Sequence, residues 1–141
     1  MCVAKKYLQQ VELCDKHINN LLEEKARLED LSLRITANLS SEGGGFSGGH
    51  GDKVGTAAGK IVDLEREINA SIDRYVDLKR QVKEVIEQVK EPDQVELLYK
   101  RYFQFEKWEQ IACEMHMEYR SVTRVHGRAL QSVREILKIC P

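Results

Sequence analysis

The feature that most limits this chain is a seven-residue register of apolar side chains that persists through most of residues 3–89. One row runs Ala4, Val11, Ile18, Lys25, Ser32 and Leu39, and the other Tyr7, Cys14, Leu21, Leu28 and Ile35. Steps alternating between three and four residues return to one side of an α-helix, whereas a strand needs a period of two. Leu8, Leu22 and Leu31 widen the stripe beyond a bare two-stranded seam, and Lys25 and Ser32 mark either a register device or a looser stretch. A second seam follows at Ile61, Leu64, Ile68, Ser71, Tyr75, Leu78, Val82, Val85 and Val89, with Ile72 and Ile86 beside it. The two seams predict helices over about 3–39 and 60–90.

Residues 40–59 hold eight of the nine glycines. Ordering that much glycine costs backbone entropy, so the segment is expected to be a flexible Gly-rich loop. Such a loop lets the second helix fold back on the first, and a long antiparallel coiled-coil hairpin over residues 1–91 is the cheapest way for one chain to bury both stripes. The exposed remainder of the seams leaves a homodimer through the coiled coil as a further option. Gly55 to Lys60 has the look of a phosphate-binding loop. Its glycine spacing is one residue short, however, Ile61 stands where a metal-binding hydroxyl belongs, and no strand precedes it.

Composition agrees with long helices: 32% of residues are charged and only 6% aromatic, so the fold class expected is all-α. The net charge of −1 excludes chain-wide basicity. Positive charge is instead local, because Arg120, Arg124, Arg128, Arg134 and Lys138 face only Glu118 and Glu135 within the last helical stretch. Cys2, Cys14, Cys113 and Cys140 are scattered without CxxC or zinc-type spacing, so no metal and no cofactor is expected, and Cys14 falls on the apolar seam. No apolar run approaches membrane-spanning length, which predicts a cytoplasmic protein with reduced thiols and no membrane partner. No Cys/His or Ser/His/Asp arrangement stands out, and the carboxylates are expected on solvent faces of helices, so no catalytic residues and no enzyme activity are expected.

Glu91-Pro92-Asp93 breaks the heptad pattern, with Asp93 as the expected N-cap, and opens a second domain, residues 92–141. Val95, Leu98, Tyr99, Tyr102 and Phe103 make one apolar face of a helix ending near residues 104–106. Trp108, Ile111, Ala112 and Met115 share a face of a short helix, and Val122, Val125, Ala129, Leu130 and Val133 share a face of a longer one. Only His116-Met117-Glu118 separates them. Two helices joined by so tight a turn, with small Ala112 at the crossing and Met117 beneath it, read as a helix-turn-helix. The aromatic residues are expected in the core of this domain, and His116 and His126 as a turn residue and a helix-surface residue.

This stretch resembles region 4 of sigma-70-type RNA polymerase sigma factors. Trp108, Ile111, Ala112, Met117, Val122, Val125, Arg128, Ala129, Leu130, Val133 and Arg134 match that family's pattern without a gap over about a fifth of the chain. Two positions depart from it. His116 stands at the family's turn glycine, which requires φ > 0 from a histidine or a different turn, and Glu118 replaces the usual Ser/Thr cap. The layout of a coiled-coil hairpin followed by such a tail is also similar to ArpU-type phage transcriptional regulators. The resemblance implies a phage or prophage regulator that reads double-stranded DNA, with RNA polymerase as a second partner. By position, Tyr119, Arg120, Thr123 and Arg124 become the base-reading candidates, and Lys107, Ser121 and Arg128 the phosphate contacts. The competing readings are a protein-interaction adaptor that grips its partner through the hairpin, and a DNA-packaging accessory protein.

Overall fold

The computed structural model describes residues 3–41 and 48–139, with side chains for residues 3–38 and 55–138. The fold is all-α, and no strand occurs among the described residues. Helix α1 spans Val3–Ser41, α2 Gly48–Glu87, α3 Pro92–Tyr102, α4 Trp108–Glu114 and α5 Tyr119–Ile139. The chain divides into two compact units, one of residues 16–74 and one combining residues 1–15 with 75–141.

In the unit of residues 16–74, Leu21, Leu64 and Ile68 form a buried cluster flanked by Leu28, and Lys25 pairs with Glu65 across the two helices at 3.4 Å. Lys25 lies about as far before the end of α1 as Glu65 lies after the start of α2. A parallel arrangement would place Ser41 roughly 50 Å from Gly48, about twice what residues 42–47 can span. The helices therefore run in opposite directions here. Beyond Leu21 the α1 seam is only half-buried at Lys25, Leu28, Ser32 and Ile35, so its packing loosens where polar residues enter it. Ser71 is buried on the α2 seam, its hydroxyl receiving a hydrogen bond from Arg74 at 3.0 Å.

One sequence expectation is corrected in this unit. Of the glycine-rich loop at 40–59, residues 42–47 lie outside the described residues, but 48–59 belong to α2 and 40–41 to α1. Helix nucleation is the costly step and elongation is cheap. Once the heptads beyond Lys60 form a helix, each added glycine costs only about 1 kcal/mol relative to alanine. Ala57, 5% exposed, gains burial in return.

In the other unit two cores meet. Ala4, Leu8 and Val11 of α1, Val82, Val85 and Ile86 of α2 and Val89 just beyond it are buried together with Leu98 and Tyr102 of α3 and Ala129 and Val133 of α5. A second cluster joins Leu97, Ile111, Ala112 and Val122, with Trp108, Met115, Met117 and Val125 packed against it. Helix α3 thus buries two faces, Leu98 and Tyr102 toward the first cluster and Leu97 toward the second. Its cap also differs from expectation: Glu91 occupies the N-cap with extended backbone, Pro92 is the first helical residue and Asp93 lies in the first turn. Proline suits that position because its fixed φ is already helical and its missing N–H has no partner to lose. The helix ends at Tyr102, slightly before the expected 104–106. There Phe105 takes φ 57° while its ring packs on the first cluster, and the Glu106 N–H donates to the Lys100 carbonyl at 3.0 Å.

Candidate nucleic-acid interface

Helix α4 is too short to hold itself together by its own hydrogen bonds, so its ends matter. Lys107 caps it with extended backbone (φ −74°, ψ 152°), and the Lys107 carbonyl accepts from the Ile111 N–H at 3.0 Å. At the other end His116 has φ 55°, the left-handed conformation, which is the first of the two turn geometries open to it from the sequence. The His116 N–H donates to the Cys113 carbonyl at 3.3 Å and the Met117 N–H to the Ala112 carbonyl at 2.9 Å. These paired bonds are a Schellman closure, which satisfies carbonyls that a helix end otherwise leaves bare. Its usual hydrophobic partner is present too, since Met117 packs against the cluster holding Ala112. The chain leaves the turn in a fixed direction and enters α5, where the Val122 N–H bonds the Glu118 carbonyl at 3.0 Å.

Burial of Val122, Ala129 and Val133 fixes which side of α5 faces outward. At 100° per residue, the opposite side carries Arg120, Thr123, Arg124 and Gly127, and all four are exposed. Tyr119 is 53% exposed beside them. The Thr123 hydroxyl donates to the Tyr119 carbonyl at 3.1 Å, which spends its proton within the helix. The ion pairs of this unit include Arg80 with Asp77, Lys83 with Glu87, Lys100 with Glu114 and Lys138 with Glu135. Among the described residues Arg120, Arg124, Arg128 and Lys107 take part in no ion pair, so the basic face is not neutralised by its neighbours. Ser121 is half-buried. Arg128 is exposed but borders a cavity of about 290 Å³ together with Glu91, Asp93, Gln94 and Val125, so two carboxylates share its surroundings. That placement dilutes the positive potential of Arg128 relative to Arg120 and Arg124.

His126 departs from the surface role expected of it. Its Nε2 shares a hydrogen bond with the Tyr102 hydroxyl at 2.7 Å, and its ring lies 4.4 Å from that of Trp108. Burial pushes its pKa down to about 4, assisted by the positive charges of Lys5 and Arg101, so the ring is neutral near pH 7. Arg101 in turn places its guanidinium 4.4 Å from the Trp108 ring centroid and donates to the Glu106 carbonyl at 2.9 Å. Trp108, Tyr102 and His126 thus form a buttress under the start of α5, while Tyr99 meets Phe103 edge-on at 5.2 Å. The aromatic residues are structural, as their spacing indicated.

Glu106 does not lie on a helix's solvent face as the carboxylates were expected to. It sits between α3 and α4 with Oε2 buried, and burial followed by the hydrogen bond with Glu114 raises its pKa. Among the described residues no cluster of His, Cys, Asp and Glu has the arrangement of a metal site. Cys14 is half-buried on the seam and Cys113 exposed, both as free thiols, while Cys2 and Cys140 lie outside the described residues. One basic residue beside this surface escaped the sequence pattern. Lys5 of α1 lines a cavity of about 170 Å³ with Trp108, Tyr119, Thr123 and His126. No local signal announces it, because the residues it meets are more than a hundred positions away.

No protein-family model matches the chain, and no curated protein or solved structure matches it either.

Proposed function

We propose that this chain is a sequence-specific regulator of transcription of the phage or prophage type, which reads duplex DNA with α4 and α5 as a sigma-region-4-like helix-turn-helix. The observation that carries the reading is the outer face of α5. Tyr119, Arg120, Thr123 and Arg124 stand exposed on its first turns, its arginines have no acidic partner among the described residues, and a closed turn and an aromatic buttress hold it. Rigid support of this kind is what direct readout needs, because an arginine discriminates guanine only when its two parallel hydrogen bonds are aligned with O6 and N7. Lys107, Ser121 and Arg128 serve as phosphate contacts in this reading, with Arg128 the weakest of the three.

The first 91 residues act as a coiled-coil hairpin and residues 92–141 as the DNA-reading domain. Leu22, Leu31, Leu33, Val62 and Ile72 remain exposed on the unit of residues 16–74, which supports pairing of two copies through the hairpin. RNA polymerase is the further partner implied by the sigma resemblance, and the bacterial cytoplasm the compartment. No helix among the described residues is long and apolar enough to cross a membrane.

Selection of duplexes from a random-sequence pool by the full chain tests the reading. A consensus sequence should emerge. Each bidentate arginine contact contributes about 1–3 kcal/mol of discrimination, so the double variant Arg120→Ala, Arg124→Ala should lose at least tenfold in preference for the consensus over a scrambled duplex. Undiminished preference in that variant removes the readout assignment. Capture of a protein partner by the wild-type chain, with only sequence-blind DNA retention, supports the adaptor reading instead.

A further inference from the structure

We infer that the cavity beside the start of α5 is a seat for a backbone phosphate of the bound nucleic acid, with Lys5 of α1 as its cation. This inference rests on the DNA-binding reading above and extends the binding surface to the N-terminal turns of the first helix. A helix lying in a major groove is flanked by two sugar–phosphate backbones, one on each side, and needs positive charge or donors on both flanks. On α5 the exposed face centres on Arg120 and Gly127. Arg124 and Arg128 lie toward one edge of that face, whereas Tyr119 and Thr123 lie toward the other, where the first cation of α5 is Arg134, about three turns beyond Thr123.

Beside the first turns of α5 the fold supplies the charge from elsewhere in the chain. Lys5 is exposed on α1, whose neighbours Ala4 and Leu8 are anchored in the same core as Ala129 and Val133 of α5. Its position against α5 is therefore set by packing. The cavity it lines, about 170 Å³, is large enough for a phosphate group, and its other walls are Trp108, Tyr119, Thr123 and His126. None of these carries negative charge. His126 is half-buried and already bonded to Tyr102, so it competes neither for the anion nor for the lysine. Lys5 takes part in no ion pair among the described residues, and its charge is felt at His126, which is consistent with an ammonium turned toward the cavity.

The test uses the consensus duplex selected by the wild-type chain, together with a scrambled duplex, and measures affinity by fluorescence anisotropy over a range of salt concentrations. Loss of one phosphate contact lowers the slope of log K against log salt by about 0.9. Lys5→Ala and Lys5→Gln should both show that drop and weaken binding to the two duplexes by the same factor, while Lys5→Arg keeps the wild-type slope. Lys6→Ala removes the same charge one residue away and should leave the slope unchanged. Unchanged thermal unfolding of each variant assigns the effect to binding. An unaltered slope in both Lys5→Ala and Lys5→Gln overturns the seat while leaving the DNA-binding reading intact, as does an equal drop in Lys6→Ala. A loss confined to the consensus duplex overturns it as well, since that would make Lys5 a base-reading residue. If the wild-type chain selects no sequence and binds duplex without salt dependence, the DNA-binding reading and the seat fall together.

Discussion

His116 holds the turn between α4 and α5 at an energetic cost that can be measured. At φ 55° the Cβ of an ordinary L-residue crowds the following carbonyl, a penalty of roughly 1–2 kcal/mol. Glycine escapes that penalty but surrenders more freedom on folding, by about 0.5–1 kcal/mol relative to alanine. The imidazole is exposed and, among the described residues, makes no side-chain hydrogen bond or ion pair that its removal would forfeit. His116→Gly should therefore stabilise the unit containing α3–α5 by about 0.5–1 kcal/mol. For a compact unit of this size, that corresponds to a rise of roughly 2–6 °C in the unfolding midpoint. Valine, whose branched Cβ fits the left-handed region worst, should shift it the other way by at least as much. Trp108 is the chain's single tryptophan and lies in α4, so its fluorescence during thermal or urea unfolding reports on this unit directly. A lower midpoint for His116→Gly, or an unchanged one for His116→Val, would show that the turn does not hold a left-handed residue at this position and would refute the Schellman closure.

Acid should weaken the same unit through His126. Its folded pKa of about 4 lies below the unfolded value near 6.5, so the stability it contributes is complete above pH 6.5 and is lost as pH falls from there toward 4. Full burial would make that loss about 3 kcal/mol, and the partial exposure of the ring reduces it to about 1–2 kcal/mol. Urea titrations should show His126→Gln flattening this part of the pH profile, and a variant that keeps the wild-type slope contradicts the assignment. In α2, a Cβ added at Gly55 or Gly59 meets no atom within 4 Å, so Gly55→Ala and Gly59→Ala should each stabilise the helix by up to about 1 kcal/mol. Circular dichroism at 222 nm should show equal or greater helicity, and a loss of helicity would mean that α2 begins only after these residues.

The helices themselves were legible because burial follows the heptad rows closely. Ala4, Val11, Ile18 and Leu21 on α1 and Leu64, Ile68, Ser71, Val82 and Val85 on α2 are all buried where the register places them. The short connection between α4 and α5 was legible too, since three residues between two apolar helix faces allow only a tight turn, and His116 closes it at φ 55°. Nucleation and elongation were harder to separate by composition. Eight glycines signal a loop when counted as a block, yet those after residue 47 extend a helix already nucleated by the seam beyond them. His126 was misplaced for a different reason. Viewed on α5 alone it borders the polar face, and only the approach of Tyr102 from α3 and Trp108 from α4 buries it. Periodicity reports which side of one helix is apolar; it carries no information about a second helix covering the margin.

The same limit applies to Leu97, and it bears on function. The sequence gives α3 a single apolar face through Leu98 and Tyr102, but Leu97 is also fully buried, in the cluster with Ile111, Ala112 and Val122. Helix α3 is therefore wedged between two cores, and α5 likewise contributes Val122 to one and Ala129 and Val133 to the other. On the proposed reading, α5 gains precision from being fixed at both ends, because an arginine displaced by even an ångström loses a bidentate contact. In this unit the start of α5 is fixed through α4 and the aromatic buttress, and its later turns through the ends of α1 and α2. The long helices thus act on the α5 surface directly: the core that seats Ala4 and Leu8 against Ala129 and Val133 also brings Lys5 to the edge of that surface. Side chains far apart in sequence border one surface because they share one apolar core, which is why no linear motif could contain it.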